Sequence, residues 1–430
     1  MTALLERTAL DIVKGAFSIL RVRDRELPLP GTDREAGFDA INDLVKHWQT
    51  QGFNLWTETR AVLPLVASQA KYNLGTGGDK CFNEDDFYTK SITSASSYSI
   101  SLTDVVGITA APNIIGYDAT TSISGWTATD CTLSVSSGLV LTNTAANGYA
   151  TFDLTTVVGQ EYIIKASATL GTSLEVVFQA LDTGGTLDTD MIYKSGNGEL
   201  RFTARQTTTM FKIVNSSFNT ATATLTAVNY INTETGDHLG IILDDGDIQW
   251  SRVNYISGLV VTSKDSILSA ATAGNSVYTS PSIIDRPLSL VSAQYAFSPT
   301  STIVPSEKWT RKEYFNQPDK TSQGIVSQWY YSPQLTTGDL YVWQIPRSNK
   351  ELLLFSYIRP VNVTEENSSS PDFPSEWFLT LKYCVADLLT AEYSVPDQRI
   401  AAINMKAIQF LQESLGFDNE DSYIQFQVGK

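Results

Sequence analysis

Apolar residues recur at helical spacing near both ends of the chain and at alternate positions through most of its middle. Between 3 and 20 they fall at Leu5, Ala9, Ile12, Ala16 and Ile19, which is one face of a helix. Pro28 and Pro30 then interrupt the pattern, and Thr32 with Glu35 spells a capping box. Ala40, Ile41, Leu44, Val45 and Trp48 form a second helical face that Gly52 closes. Far downstream, Trp377, Phe378, Leu381, Cys384, Val385, Leu388 and Leu389 predict a third helix, which Pro396 separates from a fourth. That fourth helix carries Ile400, Ile403, Ala407, Phe410 and Leu411, with Gly416 as its stop.

Everything between these pairs reads as strand. Segments 55–65 and 71–74 are short strands ended by Gly75, Gly77 and Gly78. Segment 112–235 stands apart by composition: 15 of its 124 residues are charged, against 61 of the other 306. Alternation recurs there at 133–135, 139–141, 162–164, 174–178, 200–202, 210–214 and 225–228. Seven or eight short strands with turns between them predict a β-sandwich, inserted into a host domain formed by 1–111 and 236–430. The host resumes with 241–243 and 248–250 around Asp245-Gly246, a pair that supplies the positive φ of a tight hairpin turn. Further strands follow at 288–295, 340–343 and 352–357.

The expected fold is therefore α+β. The N- and C-terminal helix pairs close as a four-helix bundle, a β-rich region loops out from it, and a jelly-roll or immunoglobulin-like sandwich is inserted. The tail 417–430 is acidic, then alternates at Tyr423, Ile424, Phe426 and Val428.

Composition narrows the function. The chain has 430 residues and a net charge of −16, which argues against the basic surface that holds nucleic acid. Its three cysteines, Cys81, Cys131 and Cys384, are too few and too scattered for a disulfide framework or a zinc set. They suit buried thiols in a reducing compartment. Residues 1–20 lack the continuous apolar stretch of a signal peptide, so none is expected there, and no apolar run is long enough for a membrane span.

Candidate chemistry is thin. Gly75-Thr76-Gly77-Gly78 is followed by Asp79, whose charge would repel phosphate, and reads as a turn. The two histidines, His47 and His238, read as a helix-surface and a loop residue. Asp244-Asp245-Gly246-Asp247 has a fragment of a calcium loop but no closing Glu, and strand alternation resumes at once. Glu84, Asp85 and Asp86, or Glu365 and Glu366, offer carboxylates for glycoside hydrolysis, though runs of this kind are usually solvated charge. In the sandwich, Trp126, Tyr149, Tyr162 and Tyr193 are either core aromatics or platforms for a sugar ring or a neighbouring subunit; Trp126 and Tyr149 are the candidates for such contact. No cofactor site is expected.

Four stretches carry a resemblance. They are 9–20 with 38–59 running into Gly52-Phe53-Asn54-Leu55-Trp56 and on to Tyr72-Asn73-Leu74-Gly75; 240–250; 340–346; and Asp372-Phe373-Pro374-Ser375-Glu376-Trp377 through Tyr393, then Leu415-Gly416-Phe417-Asp418. In this order the chain resembles the head-to-tail adaptors of short-tailed bacteriophages, also described as tail accessory, head completion or packaged-DNA stabilisation proteins. The likeness covers roughly 1–80 and 236–430, and segment 112–235 departs from the compact members. It implies a non-enzymatic virion protein, assembled in the host cytoplasm. The implied assembly is a ring of about twelve copies under the portal. That ring extends the DNA channel and receives the tail tube or nozzle, needle or tailspike proteins. DNA passes through without specific binding, because carboxylates release no counterions from phosphate. The alternating tail suits strand addition or groove docking, so Phe417, Tyr423, Ile424 and Phe426 are the expected portal contacts. The alternative is a glycan-binding or peptidoglycan-degrading virion protein.

Overall fold

The computed structural model describes residues 8–23, 28–51, 57–114, 120–185, 187–193, 196–297, 303–361 and 372–417. Strands dominate it. The largest sheet has eight strands in the order β2 (Lys71–Leu74), β23 (Gly338–Trp343), β22 (Gln328–Pro333), β21 (Ile303–Lys308), β20 (Ser289–Ala296), β24 (Leu352–Ile358), β1 (Glu58–Pro64) and β3 (Phe82–Asn83). Only the β21–β22 pairing is parallel. The continuous apolar run Leu352-Leu353-Leu354-Phe355 has a simple cause. Leu353 and Phe355 join Trp329, Tyr72 and Leu340 on one side of the sheet, while Leu352 and Leu354 meet Ile242 and Tyr278 on the other. A strand covered on both faces has no polar side to show.

That second face packs on a closed six-stranded barrel. Its order is β16 (His238–Ile242), β17 (Ile248–Ser257), β18 (Val260–Ser263), β5 (Ser99–Leu102), β4 (Tyr88–Ser96) and β19 (Ser276–Ser280). Its interior holds Ile92, Ile100, Leu239, Ile241, Val253, Val261 and Val277. The β16–β17 hairpin turns at Gly246, with φ +92°, as the Asp-Gly pair predicts.

Between Ile114 and Thr233 lies a β-sandwich. One sheet runs β13 (Gly196–Thr203), β10 (Glu161–Thr169), β15 (Thr222–Asn232), β8 (Leu139–Asn143), β7 (Cys131–Val135). The other runs β12 (Leu187–Tyr193), β11 (Val176–Asp182), β14 (Thr208–Asn215), β9 (Tyr149–Thr155), β6 (Trp126–Thr129). Leu141, Ile164 and Tyr230 from the first meet Phe152, Phe178 and Phe211 from the second in a single core. The sequence had shown neither β6, β9 nor β12 as a strand: the apolar alternation of β6 and β9 is diluted by Ala and Thr.

The helices are α1 (Ala9–Leu20), α2 (Gly31–Gln51), α3 (Arg311–Asn316), α4 (Phe378–Leu389) and α5 (Asp397–Phe417). They correct the expected fold class. The chain is mostly β, and it is not an α+β fold founded on a four-helix bundle. The helices of the two ends do share a core, but α4 lies at its centre and touches α1, α2 and α5, which leaves α5 with α4 as its main partner. Burial on several sides of α4, at Phe378, Leu381, Cys384, Val385, Ala386 and Leu389, accounts for that layered arrangement. The expected cap is corrected as well. Helix α2 already begins at Gly31, so Thr32 lies inside it. The capping boxes are Thr8 with Asp11 on α1 and Thr310 with Glu313 on α3.

Candidate functional site

The two ends of the sequence meet where Phe17 of α1 packs edge-on against Tyr393, with ring centroids 5.1 Å apart. Trp48 of α2 tilts against Trp377 at 5.5 Å. Polar ties bracket these rings. The Tyr393 hydroxyl donates to Asp33 at 3.0 Å, and Arg23 Nε donates to the other Asp33 oxygen at 2.7 Å. Burial and then the Asp33 carboxylate push Tyr393 up to about 12, so the phenol keeps the proton it donates. Arg399 Nε donates to the Ile19 carbonyl at 2.9 Å, covering a backbone acceptor in the last turn of α1. The joint is fastened to the large sheet by Lys46 Nζ, which donates to the Val361 carbonyl at 2.7 Å, and by Arg359 Nη2 on Asp372 Oδ1 at 2.7 Å.

The sandwich leaves the barrel at a stitched base. Asp237 N donates to the Thr109 carbonyl at 3.1 Å, and Thr109 N donates to Asp237 Oδ2 at 2.7 Å, so the entering and leaving segments bond each other. Gly236 permits this closeness: a Cβ there would lie 1.8 Å from the Val253 carbonyl oxygen. Above the base, the outer face of β10, β13 and β15 turns toward the barrel. One cross-strand row, Arg201, Ile163 and Ile231, lies in the seam. The next, Glu199, Lys165 and Asn229, floors a cleft of about 440 Å³ whose far wall is Tyr255. The seam is polar. Arg201 Nε pairs with Glu199 at 2.7 Å and its guanidinium lies 4.9 Å over the Tyr98 ring. Lys264 pairs with Glu234, and Lys165 Nζ sits 4.4 Å over Tyr255. Ala111, Ile163 and Ile231 are its small apolar centre.

Most residues singled out from the sequence have structural duties. Trp126 is buried in the sandwich core, edge-on to Phe152 at 5.4 Å and to Phe211 at 6.0 Å. Tyr149 faces outward, half-buried, with Lys212 Nζ 4.1 Å over its ring. Tyr162 is core, and the side chain of Tyr193 lies outside the described residues. Among the expected portal contacts, Phe417 ends α5 with its side chain outside the described residues, as are Tyr423, Ile424 and Phe426 altogether. His47 is on the exposed side of α2. His238 is not a loop residue: it opens β16, buried 5.5 Å from the Phe82 ring, and burial with Arg252 and Lys80 nearby pulls it down to about 3.

Several of the carboxylate candidates are occupied as well. Asp244 Oδ1 accepts from Thr272 N at 2.9 Å and Asn275 Nδ2 at 2.7 Å, tying two barrel loops. Asp79 Oδ2 accepts from Asn73 N at 2.6 Å and braces the glycine turn. Glu84 pairs with Arg60 at 2.9 Å in a single 3-10 turn that also holds Asp85 and Asp86. Glu365 and Glu366 lie outside the described residues. Cys81, Cys131 and Cys384 are buried free thiols, each raised by desolvation. Among the described residues no group of three His, Cys, Asp or Glu side chains is placed to hold a metal ion, and no helix is long and apolar enough to cross a membrane.

No protein-family model matches the chain, and no curated protein sequence matches it. Solved structures similar to part of it include the BiXyn10A carbohydrate-binding module CBM1, at 14% identity over 27% of this chain and 96% of that one, TM-score 0.23. The second N-terminal cellulose-binding domain of Cellulomonas fimi β-1,4-glucanase C is 9% identical over 28% and 95%, TM-score 0.23. The enzymatically active domain of bacteriophage CBA120 tailspike protein 4 is 18% identical over 29% and 22%, TM-score 0.21. At these scores the likenesses carry no argument about this chain.

Proposed function

We propose that the chain is a virion structural protein, a head-to-tail adaptor that docks as a ring under the portal, extends the DNA channel and gives the tail proteins their platform. The resemblance of its two ends to that family motivates the reading. The observation that carries it is the joint between those ends. Helices from near the two ends of the sequence share one core, and in this reading that core is the base from which the β body projects. A base of this kind, repeated about an axis, makes a collar. The net charge of −16 supports a conduit wall, since carboxylates give passing phosphates nothing to exchange for their counterions.

Sedimentation velocity of the full chain, the portal of the same virion, and their mixture tests this. The expected result is a species heavier than portal by several chains of 47.1 kDa, formed only in the mixture or more completely there. Two independent boundaries at micromolar concentrations would overturn the reading.

A further inference from the structure

Helix α2 has two faces. One, with Phe38, Ile41, Leu44, Val45 and Trp48, is buried in the shared helical core. The other carries Glu35, Asp39 and Asp43 at i, i+4 and i+8, so the three carboxylates stand in one exposed row. Beside that row, Ala36 and Ala40 are too small to fill the space between α2 and the end of α4. The result is a groove of about 420 Å³. Leu388, 46% exposed, contributes its apolar floor, and Glu392 adds a fourth carboxylate on the opposite rim.

Among the described residues nothing neutralises this groove. No Lys or Arg lines it, and none of the four carboxylates makes an ion pair among the described residues. The last turn of α4 carries no basic residue, so the negative end of its dipole also lies in the groove wall, at Leu389. An apolar floor between acidic rims is the complement of a helix whose apolar stripe is flanked by Lys or Arg. From Thr32 to Asp43 the wall is about 17 Å long at 1.5 Å per residue, room for about three turns.

We propose that this groove docks a basic amphipathic helix of a partner protein. The chain's own segments outside the described residues are poor occupants. Segment 418–430 carries Asp418, Glu420 and Asp421 against Lys430, and segment 362–371 carries Glu365 and Glu366 with no cation. Segments 1–7 and 24–27 offer one arginine each, matched by at least one carboxylate. A second copy brings a net charge of −16 to an acidic surface. That the partner is a neighbouring virion protein rests on the adaptor reading; the charge and shape it must have do not.

The test uses the full chain and a fluorescein-labelled amphipathic peptide of four turns, Leu on one face and Lys on its flanks, followed by fluorescence anisotropy. A second peptide has Glu in place of Lys. The Lys peptide is expected to bind at least tenfold tighter than the Glu peptide. Asp39→Asn with Asp43→Asn, and separately Leu388→Ser, are expected to weaken it at least fivefold. Asp85→Asn with Asp86→Asn, which removes as much charge elsewhere on the surface, is expected to leave it unchanged. All are surface changes, and circular dichroism melts check that each variant is folded. Absence of binding, or equal weakening by the two neutralised pairs, overturns the proposal. The portal takes no part in this assay, so its failure and that of the adaptor reading are separate results.

Discussion

The sandwich and the helical joint are both well packed, but they are assembled from opposite kinds of information. Strands β6 to β15 lie within 126–232, and their core closes with only Ile114 packed against it from outside that range. The joint needs residues more than three hundred positions apart: Phe17 against Tyr393, Trp48 against Trp377, Arg399 on Ile19. Their attachments differ in the same sense. The sandwich meets the barrel through charges, tyrosine rings and three buried apolar residues. The helices meet each other through an apolar core. A unit with its own core and a polar seam is free to be added to a scaffold, whereas a joint made of both termini is part of the scaffold itself.

The strongest way to break this contrast is truncation. A chain ending at residue 371 loses α4 and α5. Helices α1 and α2 then keep only each other and Val361 from the buried apolar core they now share, and helices in proteins rely on tertiary packing. Hydrogen exchange is expected to become fast throughout 9–51 while the slow amides of 126–232 keep their protection. Loss of protection in both regions would contradict the separation.

Core substitutions come next. Leu381→Ala in the joint and Phe211→Ala in the sandwich each remove a side chain with no solvent exposure. Each is expected to cost about 2–5 kcal/mol. Denaturant melts with exchange mapping are expected to place the first loss in the helices and the second within 126–232. A spread of either effect into the other region would count against the contrast.

A smaller effect lies at the sandwich base. Burial, then Arg252 and Lys80, holds His238 neutral down to about 3, against 6.5 for a free imidazole. The unfolded chain accepts the proton that the folded chain refuses. Stability is therefore full above about 6.5 and falls as pH drops from there toward about 3. Neighbouring Asp237 is raised, by desolvation first, and acts in the opposite sense, so the variant rather than the whole profile isolates the histidine. His238→Phe is expected to lose less melting temperature between pH 6.5 and 4 than the parent. Parallel slopes would contradict it.

The smallest effect is in the seam. Arg201→Ala removes the pairing with Glu199 and the Tyr98 contact, but these groups remain partly solvated. The expected cost is about 1 kcal/mol or less. The telling change is geometric: small-angle scattering is expected to show a wider range of sandwich positions for the variant, and for the parent at high salt. Unchanged scattering would mean that the stitched base alone sets the orientation.

What the sequence revealed follows the same division. Local patterns were legible: the apolar stripes of α1, α2, α4 and α5, the Asp245-Gly246 turn, and strands such as β2 and β14. Partnerships between distant segments were not. Nothing in Lys71–Leu74 announces that it pairs with Gly338–Trp343. The fold class was misjudged because helices give strong local signals. The long β region, whose short strands each signal weakly, carries most of the described residues. Aromatic residues misled for a similar reason. Trp126 looks the same in sequence whether it faces a sugar or Phe152, and only the packing of two sheets decides it. The acidic row on α2 was visible residue by residue, but its groove exists only once α4 arrives from the other end of the chain.

The most direct measurement is negative-stain imaging of portal mixed with two proteins, the full chain and a chain in which 114–232 is replaced by a short Gly-Ser linker. Both are expected to add a coaxial ring beneath the portal, the second without a peripheral lobe. A bare portal with the full chain would contradict the adaptor function, and a ring that vanishes with the folded shorter chain would show that the sandwich, not the joint, builds the collar.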